Sequence, residues 1–446
     1  MLRRRILWDV VEQHLDESAF FWSQRERALL SLEDVLAEVT EGDEGRLLAH
    51  LEGLRVHGAP VIERLLQPAL EGDDWARAAV AAHVLLATPE LDGSGQVRDA
   101  LVRSEPEARR GLLGALELSG RKELDQLLMR LLPEAGPGLR GPLLGCLAFR
   151  QVDTGVVLRR LSLEGAPGTL TAALRAARFT SQDVAAGLVA RGLTSSHPQE
   201  RDAALLTGLR FHAKVSWALC RRLVEAGGPS LATAMIALAV GGGPREVELL
   251  VKALAVDPLR ADAAWALGFS GRRAAAEALL DVLRKGGGGW LEAESFAAIT
   301  GMPLEGVLAA AREDAAEEEA APMAADEEQG KGALPGPVLL PGTVRVEAVD
   351  AWWQREQSRF DKAGRYLYGS LWSVKALVDA LEVAPMRRRP ALAWELAVRS
   401  GGACQLETRA WTWEQRRQLQ AARGLRFASG SQPFESFLKE MPCASP

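Results

Sequence analysis

The seven residues WALGFSG (265–271) return along the chain in weakened form, at steps of 29 to 32 residues. The other copies are EGLRVHG (52–58), AHVLLAT (82–88), GALELSG (114–120), GCLAFRQ (145–151), RAARFTS (175–181), TGLRFHA (207–213), IALAVGG (236–242) and FAAITGM (296–302). The third position is Leu in six of the nine, and the fifth is apolar in eight. A single match of this kind means little. Nine at a nearly constant step describe equivalent layers, each too small to bury its own apolar face. That constraint outweighs length. The 446 residues would otherwise suit two or three ordinary domains, whereas an array grows by adding layers.

Each layer reads as two helices and a turn. In ADAAWALGFSGRRAAAEALLDVLRK (261–285), Ala263, Ala266 and Leu267 share one helical face. Gly268 and Gly271 bracket a turn, where glycine adopts left-handed angles without steric penalty. Ala275, Leu279, Val282 and Leu283 form the stripe of a second helix. Neither helix is long enough to persist alone. The second helices repeat as LLMRLL (127–132), VLRRLS (157–162), LVARGL (188–193), LCRRLV (219–224), LVKALA (250–255) and LLDVLR (279–284). Their first and fifth positions, one helical turn apart, are assigned to the core seam. Strand signals are poor, so the expected class is all-α: a solenoid of short helix pairs, with Leu267 and Leu283 buried.

The alanine-rich first helix, the ALGFSG turn and the leucine-rich second helix resemble short HEAT-type repeats, the roughly 30-residue kind first noted in bilin lyases. The flanks, VVEQHLDESAFFWSQRERALLSLEDVLAEV...RLLAHLEGLRVHG (10–58) and WWQREQSRFDKAGRYLYG...RRRPALAWELAV...LETRAW (352–411), resemble an uncharacterised bacterial HEAT-repeat family. Its genes are often found beside type VI secretion genes. The resemblance implies a context and carries over no catalytic residue.

The chain divides on composition into N-terminal capping helices (1–45), repeats (46–305), an acidic then Gly/Pro-rich linker (306–342) and a helical C-terminal region (343–446). The segment 313–329 holds eight acidic residues and no basic one, and without it the net charge of −6 would become +2. The C-terminal region holds six of the twelve tryptophans and both tyrosines, so it should pack. Helices are expected at 346–360, 372–383, 387–400 and 411–422, packed through Trp352, Trp394 and Trp411. The opening MLRRRILWDVV is cut by Asp9 and reads as an amphipathic helix, not an export signal. No run reaches the ~18 apolar residues of a membrane span. Both features point to the cytoplasm. The four cysteines show no CxxC and no Cys/His metal spacing.

A search for chemistry yields no catalytic motif, and neither a cofactor nor a metal is expected. GGG (241–243) and GGGG (286–289) lack the Lys-Ser/Thr that follows a phosphate loop, and each falls where a layer turns. One pattern stands out. The fourth position of four successive second helices carries Arg130, Arg160, Arg191 and Arg222, and the third adds Arg159, Arg221 and Lys252. With helices stacked roughly 8–10 Å apart, the four arginines predict a basic stripe about 30 Å long. In HEAT-like arrays the second helices usually line the concave side. The same charges also suit helix C-termini without any partner. A second basic cluster, Arg387, Arg388 and Arg389, offers a partner surface or a solvated helix start. Two readings remain open. One is a non-catalytic interaction scaffold or adaptor, chaperone-like in one form and linked to type VI secretion, whose basic groove holds segment 313–329 at rest. The other is a nucleic-acid-binding protein or DNA glycosylase-type enzyme using that groove. Against the second stand a pI near 5.7 and a stripe with no interleaved aromatics.

Overall fold

The computed structural model describes residues 6–88, 92–163, 166–228, 230–309, 334–340, 342–425, 427 and 430–441. It is an all-α repeat solenoid, 69% helical. Its strands are two residues long. All nine copies of the seven-residue motif fall at the C-terminal end of a helix. Two compact units divide the chain.

The first unit comprises 1–184 with 385–387 and 407–417. Helix α1 (Trp8–Ala28) packs on α2 (Gly45–Arg55) and on α3 (Trp75–Ala87). Then come α4 (Gly93–Arg103), α5 (Pro106–Leu118), α6 (Glu123–Glu134), α7 (Pro137–Phe149), α8 (Gly155–Leu158) and α9 (Thr169–Ala177). The motif-bearing helices α3, α5, α7 and α9 stack in succession. Arg25 on α1 donates to Glu44 at 2.8 Å and to the carbonyls of Arg409 and Ala410 at 2.9 Å each. Glu44 in turn accepts from the Thr412 backbone at 2.7 Å and its hydroxyl at 2.6 Å. Residues 407–417 are therefore fixed to α1 by a fully bonded buried ion pair. The Trp411 indole donates to the Leu118 carbonyl in the last turn of α5, at 3.0 Å.

Helix α10 (Gln182–Leu193) carries the division between the units. The second unit comprises 185–384, 388–406 and 418–446. Its repeats are α11 (Pro198–Arg210), α12 (Lys214–Ala226), α13 (Ala232–Gly241), α14 (Pro244–Ala253), α15 (Arg260–Ser270), α16 (Arg273–Arg284) and α17 (Trp290–Thr300). Again α11, α13, α15 and α17 stack in order. Their sequences explain why they lie inside. Every residue from Thr233 to Gly241, from Ala263 to Ser270 and from Trp290 to Thr300 is buried. A helix that is apolar all round has to be covered all round. The second helices cover one side only, and they are amphipathic: α16 buries Ala275, Ala276, Leu279, Leu280 and Leu283.

The C-terminal region supplies further cover. It forms α18 (Val346–Glu356), α19 (Val374–Val383), α20 (Arg389–Arg399) and α21 (Thr412–Arg423), close to the ranges expected from sequence. Trp394 and Trp411 are buried as expected, whereas Trp353 rather than Trp352 is the buried member of that pair. The last carbonyls of a helix lack internal partners, and its C-terminus carries partial negative charge. Within the second unit the region answers both needs, helix after helix. Trp394 Nε1 donates to the Leu206 carbonyl near the end of α11 at 3.3 Å, and Arg399 to Val240 of α13 at 3.4 Å. Arg365 donates to Phe269 and Ser270 of α15, both at 3.1 Å. The backbone of Tyr368 and Gly369, at the tip of a short hairpin (Tyr366–Leu367, Ser370–Leu371), donates to Ala298 and Ile299 of α17 at 2.9 and 3.0 Å. Gly271 ends α15 at φ +65°, and a Cβ there would stand 2.2 Å from the Tyr366 carbonyl. The turn predicted at Gly271 is thus also a docking point for the hairpin.

The segment expected as a linker is part scaffold. Its acidic stretch, 313–329, lies outside the described residues. The Gly/Pro part does not hang free: Leu334 and Pro335 are buried, and the Pro335 carbonyl accepts from Trp265 Nε1 at 2.9 Å. A two-residue ladder, Leu308–Ala309 with Thr343–Val344, ties the segment's two ends together.

Candidate functional site

The second helices decide where the basic positions point. In α6 the fully buried residues are Leu124, Leu128 and Leu132; in α12 they include Trp217, Cys220 and Val224. The seam in these helices runs through the second and sixth positions of the repeated hexamer, with the first and fifth half-buried. The expected first-and-fifth seam holds in α14 and α16, through Leu250 with Leu254 and Leu279 with Leu283. Paired leucines at adjacent positions hid this one-residue slip. Counted from the true seam, Lys252 joins the register of Arg130, Arg160, Arg191 and Arg222, and Asp281 ends it. Two residues past the seam is about 200° around a helix, so Arg130, Arg191, Arg222 and Lys252 stand on the face turned away from the core, while Arg160 lies in the turn just past α8. All five are exposed.

Their charges are not equally free. Arg159 pairs with Asp183 at 2.5 Å, and Lys252 with Glu248 at 2.8 Å. Arg221 is half-buried between Glu246 and Glu435. These three are largely neutralised by near neighbours. Arg130, Arg160, Arg191 and Arg222 form no ion pair among the described residues. Among the described residues the exposed large aromatics are Phe20 and Trp413, neither on a second helix.

The other basic cluster is not a surface. Arg387, Arg388 and Arg389 are all buried, which corrects the expectation of a partner face or a solvated helix start. Arg387, in the first unit, donates to Leu30 at 3.3 Å through its side chain and to Ser31 at 2.9 Å through its backbone. Arg388, in the second, grips both oxygens of Glu294 and donates to Ser295 Oγ at 2.9 Å. Its guanidinium lies 4.0 Å from the centre of the Trp265 ring. Arg389 donates to the Leu381 carbonyl at 2.6 Å. Three consecutive arginines read as surface because burying a guanidinium is costly unless every charge is answered. The answering groups are 94 residues away in the case of Glu294, beyond any local signal.

Buried carboxylates follow the same rule. Among the described residues they are Glu44, Glu246, Glu292, Glu294 and Glu395. Glu395 is gripped by Arg365 and Arg399 and also accepts from Trp372 Nε1 at 3.1 Å. Burial alone would raise its pKa, but the two guanidiniums outweigh that and hold it below the usual carboxylate range. Sequence reading passed over these acids. The available signal was acids inside wholly apolar runs, as in WLEAESFAAIT.

The glycine runs fall at turns, and the last N–H of each run is occupied. Gly243 N–H donates to Glu246 Oε2 and Gly289 N–H to Glu292 Oε2, each at 2.7 Å. A phosphate would meet a carboxylate at either place. The His14 and His50 Nδ1 atoms approach to 3.0 Å, and His57 bonds the Gly53 carbonyl. No group of three metal-ligating side chains occurs among the described residues. Cys146 and Cys220 are buried, and burial pushes both thiols up, out of reach of thiolate chemistry. No described helix is long and apolar enough to cross a membrane.

The fold is thus an all-α repeat solenoid, with Arg130 and Arg160 exposed in its first unit and Arg191, Arg222 and Lys252 exposed in its second. No protein-family model matches the chain, and no curated protein is significantly similar to it.

Proposed function

We propose that this chain is a non-catalytic interaction scaffold or adaptor that binds an acidic protein partner along the exposed faces of its second helices. One observation carries the reading: at one sequence register, Arg130 and Arg160 in the first unit and Arg191 and Arg222 in the second are exposed and have no ion partner among the described residues. Other exposed arginines, Arg55, Arg64 and Arg103 among them, do carry an ion partner. Among the motif-bearing helices, α5, α11, α13, α15 and α17 have C-terminal carbonyls engaged by the C-terminal region. The resemblance of the flanks to a family encoded near type VI secretion genes suggests a component or effector of that system as the partner, and a chaperone-like role in the cytoplasm is one form of it. The acidic segment 313–329 is a candidate competitor for the same register, since a tether holds its charges at about millimolar local concentration.

The test is capture from the native host with the intact chain and with Arg160, Arg191 and Arg222 changed to Ala. An acidic protein should be retained by the first and lost by the second, with retention falling steeply between low and physiological salt. Deleting 313–329 should raise that retention. Salt-dependent shifting of duplex DNA by the intact chain, abolished by the same substitutions, would replace the protein partner with nucleic acid.

A further inference from the structure

A cavity of about 300 Å³ lies in the second unit, at the N-terminal ends of α15 and α17. Asp257, Arg260, Trp290 and Glu292 line it from the repeats, and Leu339 and Leu340 from the Gly/Pro segment. It sits at the lower end of the size range of small-ligand pockets.

Glu292 is the unusual member. Of the five buried carboxylates, four are closed by a guanidinium: Glu44 by Arg25, Glu246 by Arg221, Glu294 by Arg388, and Glu395 by Arg365 and Arg399. Glu292 is only 6% exposed, yet it has no cationic partner among the described residues. The comparison with Glu246 is close. Each is the third residue of its helix, and each accepts a glycine N–H at 2.7 Å through Oε2. At Glu246 the site is completed by Arg221 Nε at 2.9 Å. At Glu292 the cavity stands there instead. The glycine run keeps the carboxylate tucked in, because a Cβ on Gly288 would meet its carboxyl group at 3.2 Å. Arg260 shares the cavity, but it is engaged by Asp257 and by the Leu254 carbonyl at 3.3 Å. Its ionic lining therefore sums to one net negative charge. A buried carboxylate with one hydrogen bond and no counter-ion favours a cationic donor strongly.

We infer that this cavity is a binding site for an alkyl guanidinium or ammonium group, which completes Glu292 as Arg221 completes Glu246. Trp290 and Leu340 would lie along the aliphatic stem, and the charged head would meet Glu292. The group can come from an arginine or lysine side chain of a bound peptide or from a free small amine. This site is separate from the basic register and of opposite charge, so it stands or falls independently of the function proposed above.

Calorimetric titration of the full chain at fixed ionic strength tests it, with ethylguanidinium and with the blocked tripeptide acetyl-Gly-Arg-Gly-amide as probes. At least one should bind saturably. Glu292→Gln keeps a carbonyl to accept the Gly289 N–H, so the helix start survives, and it should weaken binding at least tenfold. Leu340→Trp fills the cavity from the opposite wall without touching the charge, and it should weaken binding similarly. Tighter binding of the tripeptide would identify a peptide side chain as the source, and equal affinity a free amine. No saturable binding of either probe, or unchanged affinity in Glu292→Gln, would overturn the assignment.

Discussion

His83 lies edge-on between Trp22 and Trp411, with ring centres 5.8 and 5.5 Å away. Burial, reinforced by the nearby Arg25, lowers its pKa to about 4. The native state thus prefers the neutral ring. Stability from this group is complete above the ordinary histidine value of 6.5 and is lost as pH falls toward 4. The loss should be on the order of 2–3 kcal/mol, read from urea unfolding at pH 7.5, 6, 5 and 4. His83→Gln should remove most of that slope. Asp202 has the opposite sign. Burial pushes its carboxyl up to about 6, against the bond from Thr233 Oγ1 at 2.9 Å. Here the protonated form is preferred, so the group favours folding at low pH and that support is lost as pH rises through 6. Asp202→Asn should therefore stabilise the chain at pH 7.5 by about 1–3 kcal/mol, an advantage that shrinks toward pH 4. Arg388→Met alone should cost about 3–5 kcal/mol, because it strands Glu294 without its counter-charge, and adding Glu294→Leu should recover most of it. Thermal unfolding of the single and double variants checks this.

The helix–turn–helix layers were legible because their signals are local. Leucine, alanine and glycine at fixed spacing determine where helices start, stop and touch. Leu267 and Leu283 are buried and Gly271 is a left-handed cap, as their spacing predicts. Leu283→Asp should place an unpaired charge in the core at a cost of several kcal/mol and abolish cooperative unfolding followed by far-ultraviolet circular dichroism. The seam register was only half legible, since LLxxLL offers two adjacent stripes and spacing alone does not choose between them. What chooses is whether the flanking positions, such as Arg130 and Glu123, reach water. The fate of Arg387–Arg389 was not legible, because a local run of charge carries no record of the carboxylates that neutralise it from far along the chain. The same holds for Glu292, whose significance appears only beside its four matched counterparts.

At the scale of the molecule, the C-terminal region behaves as a shared component of the repeats. Residues 385–387 and 407–417 belong to the first unit, and the remainder to the second. Removing 343–446 should therefore expose apolar helices and leave their C-terminal carbonyls unanswered in both units. The truncated chain should lose helical signal out of proportion to the residues removed, and it should bind a hydrophobic dye. Retention of a cooperative transition with an unchanged midpoint would show that the repeats stand alone.

That dependence has a temporal side. Repeat arrays can in general begin folding as soon as neighbouring layers exist. In the first unit, however, Arg25 and Glu44 wait for Ala410 and Thr412. Those residues leave the ribosome more than 200 positions after Val184, the last residue of that unit's repeats. At about 5–20 residues per second the delay is roughly 10–45 s. During it, the nascent first unit carries Arg25 and Glu44 without the Ala410 carbonyl and the Thr412 donors that complete their bonding. Synthesis of this protein should accordingly depend on holding factors at the exit tunnel far more than that of a repeat protein whose layers close as they emerge.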